Sequence, residues 1–409
     1  MRELNGRIAP DTISLEVLSV LQFRTIDEPL LPNLKTLHLW EVHWPFIPFI
    51  PVFLSPRTTS IYSRFPELDL PEAMFASMVT TFPRMCPNLQ AIGLPFLPRD
   101  PMITAAVSEL LLATSRNALQ HLSVDSPLTE EASEVIFKLS SLRSLSVVIE
   151  GKTSLPSASL PNLVELTITC DNEGNWPQLF HGATLRKLKS VTLCPRSEEI
   201  GDFLGAFERV ALSSSVQNTL SEFQLYTSCS WNPNYSSLLP FTQLVELHVD
   251  FSCDNGCSSR VDDDIIINLS RAMPKLQYLQ LGGEPCKEFT TGVTAKGLVS
   301  LGFHCPDLQH LCVHFQVVSL SAPSASPEIN RNTEPTGSWT DCVLTYFVAG
   351  EIPIPEESVL VVALTLFRIF PRTEFIDAVG EGWEVVMGAI CLSKQIVDCS
   401  SKQYPLTSP

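Results

Sequence analysis

The sequence predicts an α/β solenoid, a horseshoe with a concave parallel β-sheet and convex helices. Three observations predict it. A short leucine pattern recurs along the chain, helix-like segments lie between its copies, and a proline turn precedes many of them at a fixed distance. A repeated unit that cannot bury its apolar side alone must stack on its neighbours, so the repetition itself specifies the architecture.

The pattern is L-x-x-L-x-L or an apolar equivalent. It appears as LKTLHL from Leu34, LQAIGL from Leu89, LQHLSV from Leu119, LRSLSV from Leu142, LVELTI from Leu163 and LKSVTL from Leu188. It continues as LSEFQL from Leu220, LVELHV from Leu244, LQYLQL from Leu276, LQHLCV from Leu308 and LTYFVA from Leu344. TTSIYS from Thr58 and TEFIDA from Thr373 carry Thr in place of the first Leu. These thirteen starts, spread over residues 34 to 373, have a mean spacing of about 28 residues. A leucine-rich repeat takes roughly 20–29, so the sequence predicts about 12–13 repeats of that kind.

Each copy should be a strand. In LKTLHL, Leu37 and Leu39 alternate with Thr36 and His38. A period of two puts the leucines on one face and the intervening residues on the other. The leucine face needs a cover, and the segments between copies supply it. Candidate helices are AAVSELLLATS before Leu119, EEASEVIFKL before Leu142 and GDFLGAFERVAL before Leu220. VDDDIIINLSRAM precedes Leu276, GVTAKGLVSLGF precedes Leu308 and EESVLVVALTLFRIF precedes Thr373. Val107, Leu110, Leu111 and Thr114 show the three-to-four spacing of a buried helix stripe. ISLEVLSVLQF, from Ile13 to Phe23, reads as the helix of the first repeat.

The turn into the strand has its own signature. LPNL, CPNL, a second LPNL, MPKL and CPDL all place Pro two residues before the first Leu. Proline donates no N–H and disfavours helix for the residue before it, so it ends the helix and feeds the strand. Residues 1–398 read as one solenoid. Residues 319–339, SLSAPSASPEINRNTEPTGSW, are a flexible loop insertion, 381–398 a C-terminal capping helix, and 399–409 a disordered tail.

Composition narrows the function. The chain has 27 Lys and Arg against 44 Asp and Glu, a net charge of −17. Nucleic-acid binding and adhesion to anionic membranes both require an excess of basic residues, so neither is expected. The N-terminus lacks the apolar core of a secretory signal, and the longest apolar run, Val359 to Phe367, falls far short of the roughly 20 residues that span a bilayer. Twelve cysteines in 409 residues are too few for a disulfide scaffold. The expected location is cytoplasmic or nuclear.

Enzyme motifs are absent: there is no G-x-S-x-G and no H-E-x-x-H. Gly151-Lys152-Thr153 resembles the tail of a phosphate loop, but Ser146 stands where that loop needs glycine. Asp262 to Asp264 are read as a helix cap and first-turn charges rather than a metal site. Cys253 and Cys257 are two thiols without a second pair, too few for structural zinc. No cofactor and no metal are expected.

Function should then lie on the concave face, in residues between and beside the leucines. The candidate protein-binding residues are His38, Trp40, Glu222, Tyr226, His248, Asp250, Tyr278, Gln280, His310 and His314. Aromatic side chains anchor protein interfaces more often than aliphatic ones. The metal-like stretch HCPDLQHLCVHF, residues 304 to 315, is one more copy of the pattern. Its Cys305 packs inside, while His310, Cys312 and His314 share the open face, roughly 7 Å apart along one strand, too extended to close around one ion.

TAKGLVSLGFHCPDLQHLCV, LPNLKTLHLW and MCPNLQAI resemble the leucine-rich-repeat region of F-box proteins. The phrase carried by Thr294, Gly297, Leu298, Leu301, Cys305, Pro306, Leu308 and Leu311 is similar to their cysteine-containing repeat type. IPIPEESVLVVALTLFRIFPRTEFID and GEGWEVVMGAICLSKQIV are similar to large families of this kind in mushroom-forming fungi. The resemblance covers residues 12 to 398. It implies a non-enzymatic scaffold that presents protein substrates to a cullin-RING ubiquitin ligase. The F-box itself is not present in this chain, so docking to the ligase adaptor is expected only of a longer form. The alternative is a leucine-rich-repeat regulator or inhibitor that holds a protein partner in its concave face, unrelated to ubiquitination.

Overall fold

The computed structural model describes residues 3–7, 14–24, 29–40, 44–63, 72–94, 97, 99–114, 119–149, 159–170, 185–195, 203–214, 216–228, 234–252, 261–282, 292–313, 346–348, 354, 356–370, 373, 375–377 and 382–403. Two compact units divide the chain, Met1–Val216 and Gln217–Pro409. Each is α/β with a parallel sheet.

The first unit runs β1 (Glu3–Arg7), α1 (Leu15–Arg24), β2 (Thr36–Trp40), a 3-10 helix (Trp44–Phe53), β3 (Ser60–Ser63), α2 (Glu72–Met85) and β4 (Ala91–Leu94). It continues with α3 (Pro101–Thr114), β5 (His121–Pro127), α4 (Glu130–Ile136), β6 (Ser144–Ile149), β7 (Glu165–Cys170), β8 (Ser190–Pro195) and α5 (Phe203–Ser214). Strands β1 to β8 pair in chain order, every pair parallel.

The second unit begins with β9 (Glu222–Ser228), a 3-10 turn (Tyr235–Leu238), β10 (Glu246–Ser252), α6 (Asp263–Ala272), β11 (Tyr278–Leu281), α7 (Ala295–His304) and β12 (His310–Val313). There follow β13 (Tyr346–Val348), a 3-10 turn (Glu356–Ser358), α8 (Val359–Ile369), β14 (Phe375–Asp377) and α9 (Trp383–Gln403). These strands also pair in order and in parallel.

Each of the thirteen pattern starts is followed, two residues on, by the first residue of a strand. The register joins like to like. Leu37, Ile61, Ile92, Leu122, Leu145, Leu166 and Val191 form one apolar row in the first unit. In the second unit the row is Phe223, Leu247, Leu279, Leu311, Phe347 and Ile376. Their partners in the core are the helices. Val107, Leu110, Leu111 and Thr114 of α3 are all buried, as are Phe75, Met78, Val79 and Phe82 of α2.

The turn chemistry is equally regular. In each proline turn the N–H of the first Leu bonds the carbonyl three residues back: Leu34 to Leu31, Leu89 to Cys86, Leu163 to Leu160, Leu276 to Met273 and Leu308 to Cys305. The two threonine copies use the same turn, SPRT and FPRT, with Thr58 bonding Ser55 and Thr373 bonding Phe370. Proline at the second position of a four-residue turn presets its φ and leaves no N–H to satisfy. Both threonines are buried, and each hydroxyl donates to a backbone carbonyl, Thr58 to Leu34 and Thr373 to Phe370. That hydrogen bond is what lets a polar residue take the leucine position.

Several features differ from expectation. Strand β1 was not anticipated; it pairs with β2 through Glu3–Thr36 and Leu4–Leu37. Its only sequence signal is a weak copy with Met1 and Gly6 in place of leucines. Helix α2 and the 3-10 helix Trp44–Phe53 were not anticipated either. Prolines three apart at Pro48 and Pro51 suit a helix of three residues per turn, and Phe46, Ile47 and Ile50 bury its inner side. The last helix continues to Gln403, five residues past its expected end. The chain there is SSKQ, which carries no helix breaker before Pro405. Residues 319–339 and 404–409 lie outside the described residues, as do Cys253, Cys257 and Gly151 to Thr153. No helix among the described residues is long and apolar enough to cross a membrane.

Candidate functional site

The side of each sheet away from the helices is built from the residues between the leucines. In the second unit these form rows fixed by register. The first row is Glu222, Glu246, Tyr278 and His310. The second is Gln224, His248, Gln280 and Cys312, and Tyr226 pairs with Asp250 in the third. Alternation is strict in β11 and β12, where the buried partners are Leu279, Leu281, Leu311 and Val313.

The rings on this face stand as a ladder across four strands. Tyr226 lies 5.0 Å from His248 with a tilt of 52°. His248 lies 6.1 Å from Tyr278 at 22°, and Tyr278 lies 4.1 Å from His310 at 5°. Adjacent strands are about 4.8 Å apart, so rings that project from neighbouring strands meet face to face. The sequence supplies one ring per strand at near-matching register, and parallel pairing does the rest.

Hydrogen bonds order the ladder further. The Tyr278 hydroxyl donates to Gln280 Oε1 at 2.8 Å, and the Tyr226 hydroxyl approaches Gln224 Oε1 at 3.4 Å. His248 Nε2 is shielded from solvent and has no hydrogen-bond partner among the described residues; it lies 3.7 Å from Asp250 Oδ2. That distance is an ion-pair approach, too long for a hydrogen bond.

Electrostatics follow from partial burial. Burial, and next the charge of Glu222, push the Glu246 carboxyl above its ordinary range. Burial, and next His248, hold His310 below the ordinary imidazole value. Burial first, then neighbouring groups led by Cys312, raise Tyr278. Both histidine and carboxyl shifts favour the neutral form, as desolvation does.

Seven of the ten candidate residues, Glu222, Tyr226, His248, Asp250, Tyr278, Gln280 and His310, therefore share this face of the second unit. His38 and Trp40 belong to the first unit. There His38 stacks on Tyr62 at 4.7 Å and 8°, its Nε2 lies 3.8 Å from Glu3 Oε1, and Gly93 lies beneath the Tyr62 ring. Trp40 ends β2, and its side chain and all of His314 lie outside the described residues. Sequence reasoning passed over Glu246 and Tyr62. Both occupy the strand position that selected Tyr278 and His38, so the register rule applied to every copy would have found them. Elsewhere on the first unit's open face Ser123, Ser146, Thr167 and Thr192 form one small, hydroxylic row, and the row before it carries His121 and Glu165.

The chemistry-bearing motifs have structural roles. Cys305 is buried, and its thiol lies 3.7 Å from the Ser270 carbonyl and 3.6 Å from that of Met273. It acts as a weak donor to the carbonyls that end α6. Asp262 caps α6, accepting from the Ile265 N–H at 2.9 Å. Asp263 reaches across to α7. Its Oδ1 accepts from the Thr294 and Gly297 N–H groups at 2.8 and 3.0 Å, and its Oδ2 from the Thr294 hydroxyl at 2.6 Å. A carboxylate on two open N–H groups at a helix start is a strong cap. Among the described residues no group of three or more His, Cys, Asp or Glu is arranged to hold a metal ion.

Comparison with protein-family models and with curated proteins returned no match.

Proposed function

We propose that the chain is a non-enzymatic protein-interaction scaffold of leucine-rich-repeat type that binds a protein partner on the open face of its sheet. In this reading it is the substrate-recognition region of an F-box-type receptor of a cullin-RING ubiquitin ligase. The observation that carries the interaction reading is the ladder of Tyr226, His248, Tyr278 and His310. Rigid aromatic rings in fixed register lose little conformational entropy on binding and suit interface anchors. The thirteen strand starts at one offset support the repeat reading, and the resemblance of TAKGLVSLGFHCPDLQHLCV supports the ligase reading.

The test is affinity capture with the intact chain and with Tyr278→Ala/His248→Ala, after circular dichroism shows both are folded. The captured partner should be lost with the double variant. An unchanged set of partners removes the face as the site. For the ligase reading, a longer form that includes an upstream F-box should co-purify with the ligase adaptor. Failure to do so leaves a regulator or inhibitor outside ubiquitination.

A further inference from the structure

The open face of β9–β12 is rich in hydrogen-bond acceptors and poor in positive charge. Its described side chains are Glu222, Gln224, Tyr226, Glu246, His248, Asp250, Tyr278, Gln280, His310 and Cys312. Three are carboxylates and none is Lys or Arg. The chain as a whole carries a net charge of −17, so its long-range field also attracts cations.

The ladder decides how a partner can approach. Tyr278 is flanked by His310 at 4.1 Å on one side and His248 at 6.1 Å on the other, both close to parallel. The ring faces are taken up by each other, so cation–π contact over Tyr278 is not on offer. A partner meets ring edges, amide oxygens and carboxylates instead. Glu222 and Glu246 are in direct register on adjacent strands, and like charges so placed repel. A donor group set between them relieves that repulsion. Arg and Lys are donors only, and the guanidinium fork fits paired carboxylate oxygens.

We infer that this face docks a basic segment of a protein partner, rich in Arg or Lys, with Glu222 and Glu246 as its shared acceptor pair and Asp250 as a further one. The inference rests on the proposal that the face is where a partner binds. Burial first, and then the neighbouring Glu222 charge, push the Glu246 carboxyl up. The titratable groups around it are Glu222 on β9, His248 on its own strand and Tyr278 on β11, with His310 beyond.

The test uses the full chain and fluorescein-labelled ten-residue Gly/Ser peptides with four Arg, four Lys, four Glu or no charge, followed by fluorescence anisotropy. The Arg and Lys peptides should bind, and binding should weaken as salt rises. The Glu and uncharged peptides should not bind. Glu222→Gln/Glu246→Gln should weaken the Arg peptide about tenfold, taking about threefold for each partly exposed carboxylate. Glu130→Gln/Glu131→Gln, at the start of α4 in the other unit, removes the same charge elsewhere and should leave binding unchanged. Equal weakening by both pairs, binding that ignores salt, or no effect of the Glu222/Glu246 pair overturns the inference. If Tyr278→Ala/His248→Ala abolishes partner capture while basic peptides fail to bind, the basic-segment inference falls and the interaction reading stands. If that variant leaves capture unchanged, the interaction reading itself falls.

Discussion

Replacing Gly297 with Ala should destabilise the protein, and removing Asp263 first should reverse the sign. A Cβ on Gly297 would sit 2.7 Å from Asp263 Oδ1 and 3.4 Å from Ile266 Cβ. The carboxylate must move, and it holds three hydrogen bonds at 2.6 to 3.0 Å that join α6 to the start of α7. Losing a charged cap of this kind costs about 2 kcal/mol. Ala gains about 1 kcal/mol over Gly in a helix, so Gly297→Ala should cost about 1 kcal/mol net. Asp263→Ala alone should cost about 2 kcal/mol, because it leaves two N–H groups at the start of α7 without their acceptor. In that background the clash is gone and only the propensity gain remains. Gly297→Ala should then stabilise by up to about 1 kcal/mol. Urea unfolding followed by circular dichroism gives the four stabilities, and hydrogen exchange at the Thr294 and Gly297 amides places the effect. If Gly297→Ala destabilises equally with and without Asp263, the carboxylate is not what requires glycine here.

Other consequences can be checked separately. Gly93→Ala places a Cβ 2.5 Å from Tyr62 Cδ1, so it should break the His38–Tyr62 stack and cost about 1–3 kcal/mol. Near-UV circular dichroism and the unfolding midpoint report both effects. Alkylation by iodoacetamide at pH 8, read by mass spectrometry, should modify exposed Cys391 well before Cys86. Burial pushes the Cys86 thiol up to about 12, so its thiolate is scarce. Finally, the histidine shifts set a pH dependence. Burial lowers His310 and His304 below the ordinary 6.5, so the unfolded chain binds more protons in the window just below that value. Stability should therefore rise with pH through that window and level off above it. His310→Gln should flatten the slope, and an unchanged slope would rule out His310 as a contributor.

Much of the architecture was written in the sequence, because a strand position here is set by local chemistry. The leucine pattern, reinforced at seven of its copies by the proline turn X-P-x-L or X-P-x-T, fixes where those strands begin, and alternation then fixes which side chains are buried. Leu311 and Val313 could be assigned inward and His310 and Cys312 outward from the letters alone, and Cys305 could be placed in the core. The N-terminal strand was hidden because Met1 and Gly6 stand where leucines usually declare it. Helix α2 was passed over although Phe75, Met78, Val79 and Phe82 repeat at helical spacing.

Tertiary structure alone decided what those side chains do to one another. That Tyr278 lies between two histidines depends on parallel register across strands about 30 residues apart in sequence, a relation no local pattern encodes. Asp263 reads as a helix-start acid in the sequence, yet its carboxylate serves the next helix, 31 to 34 residues on. Thr294 and Gly297 look like two letters of a motif until that carboxylate explains both. Local chemistry determines where each strand and turn falls, since every residue it needs lies within a few positions. Contacts between successive strands and helices are made across some 30 residues of chain, and only their packing brings those residues together.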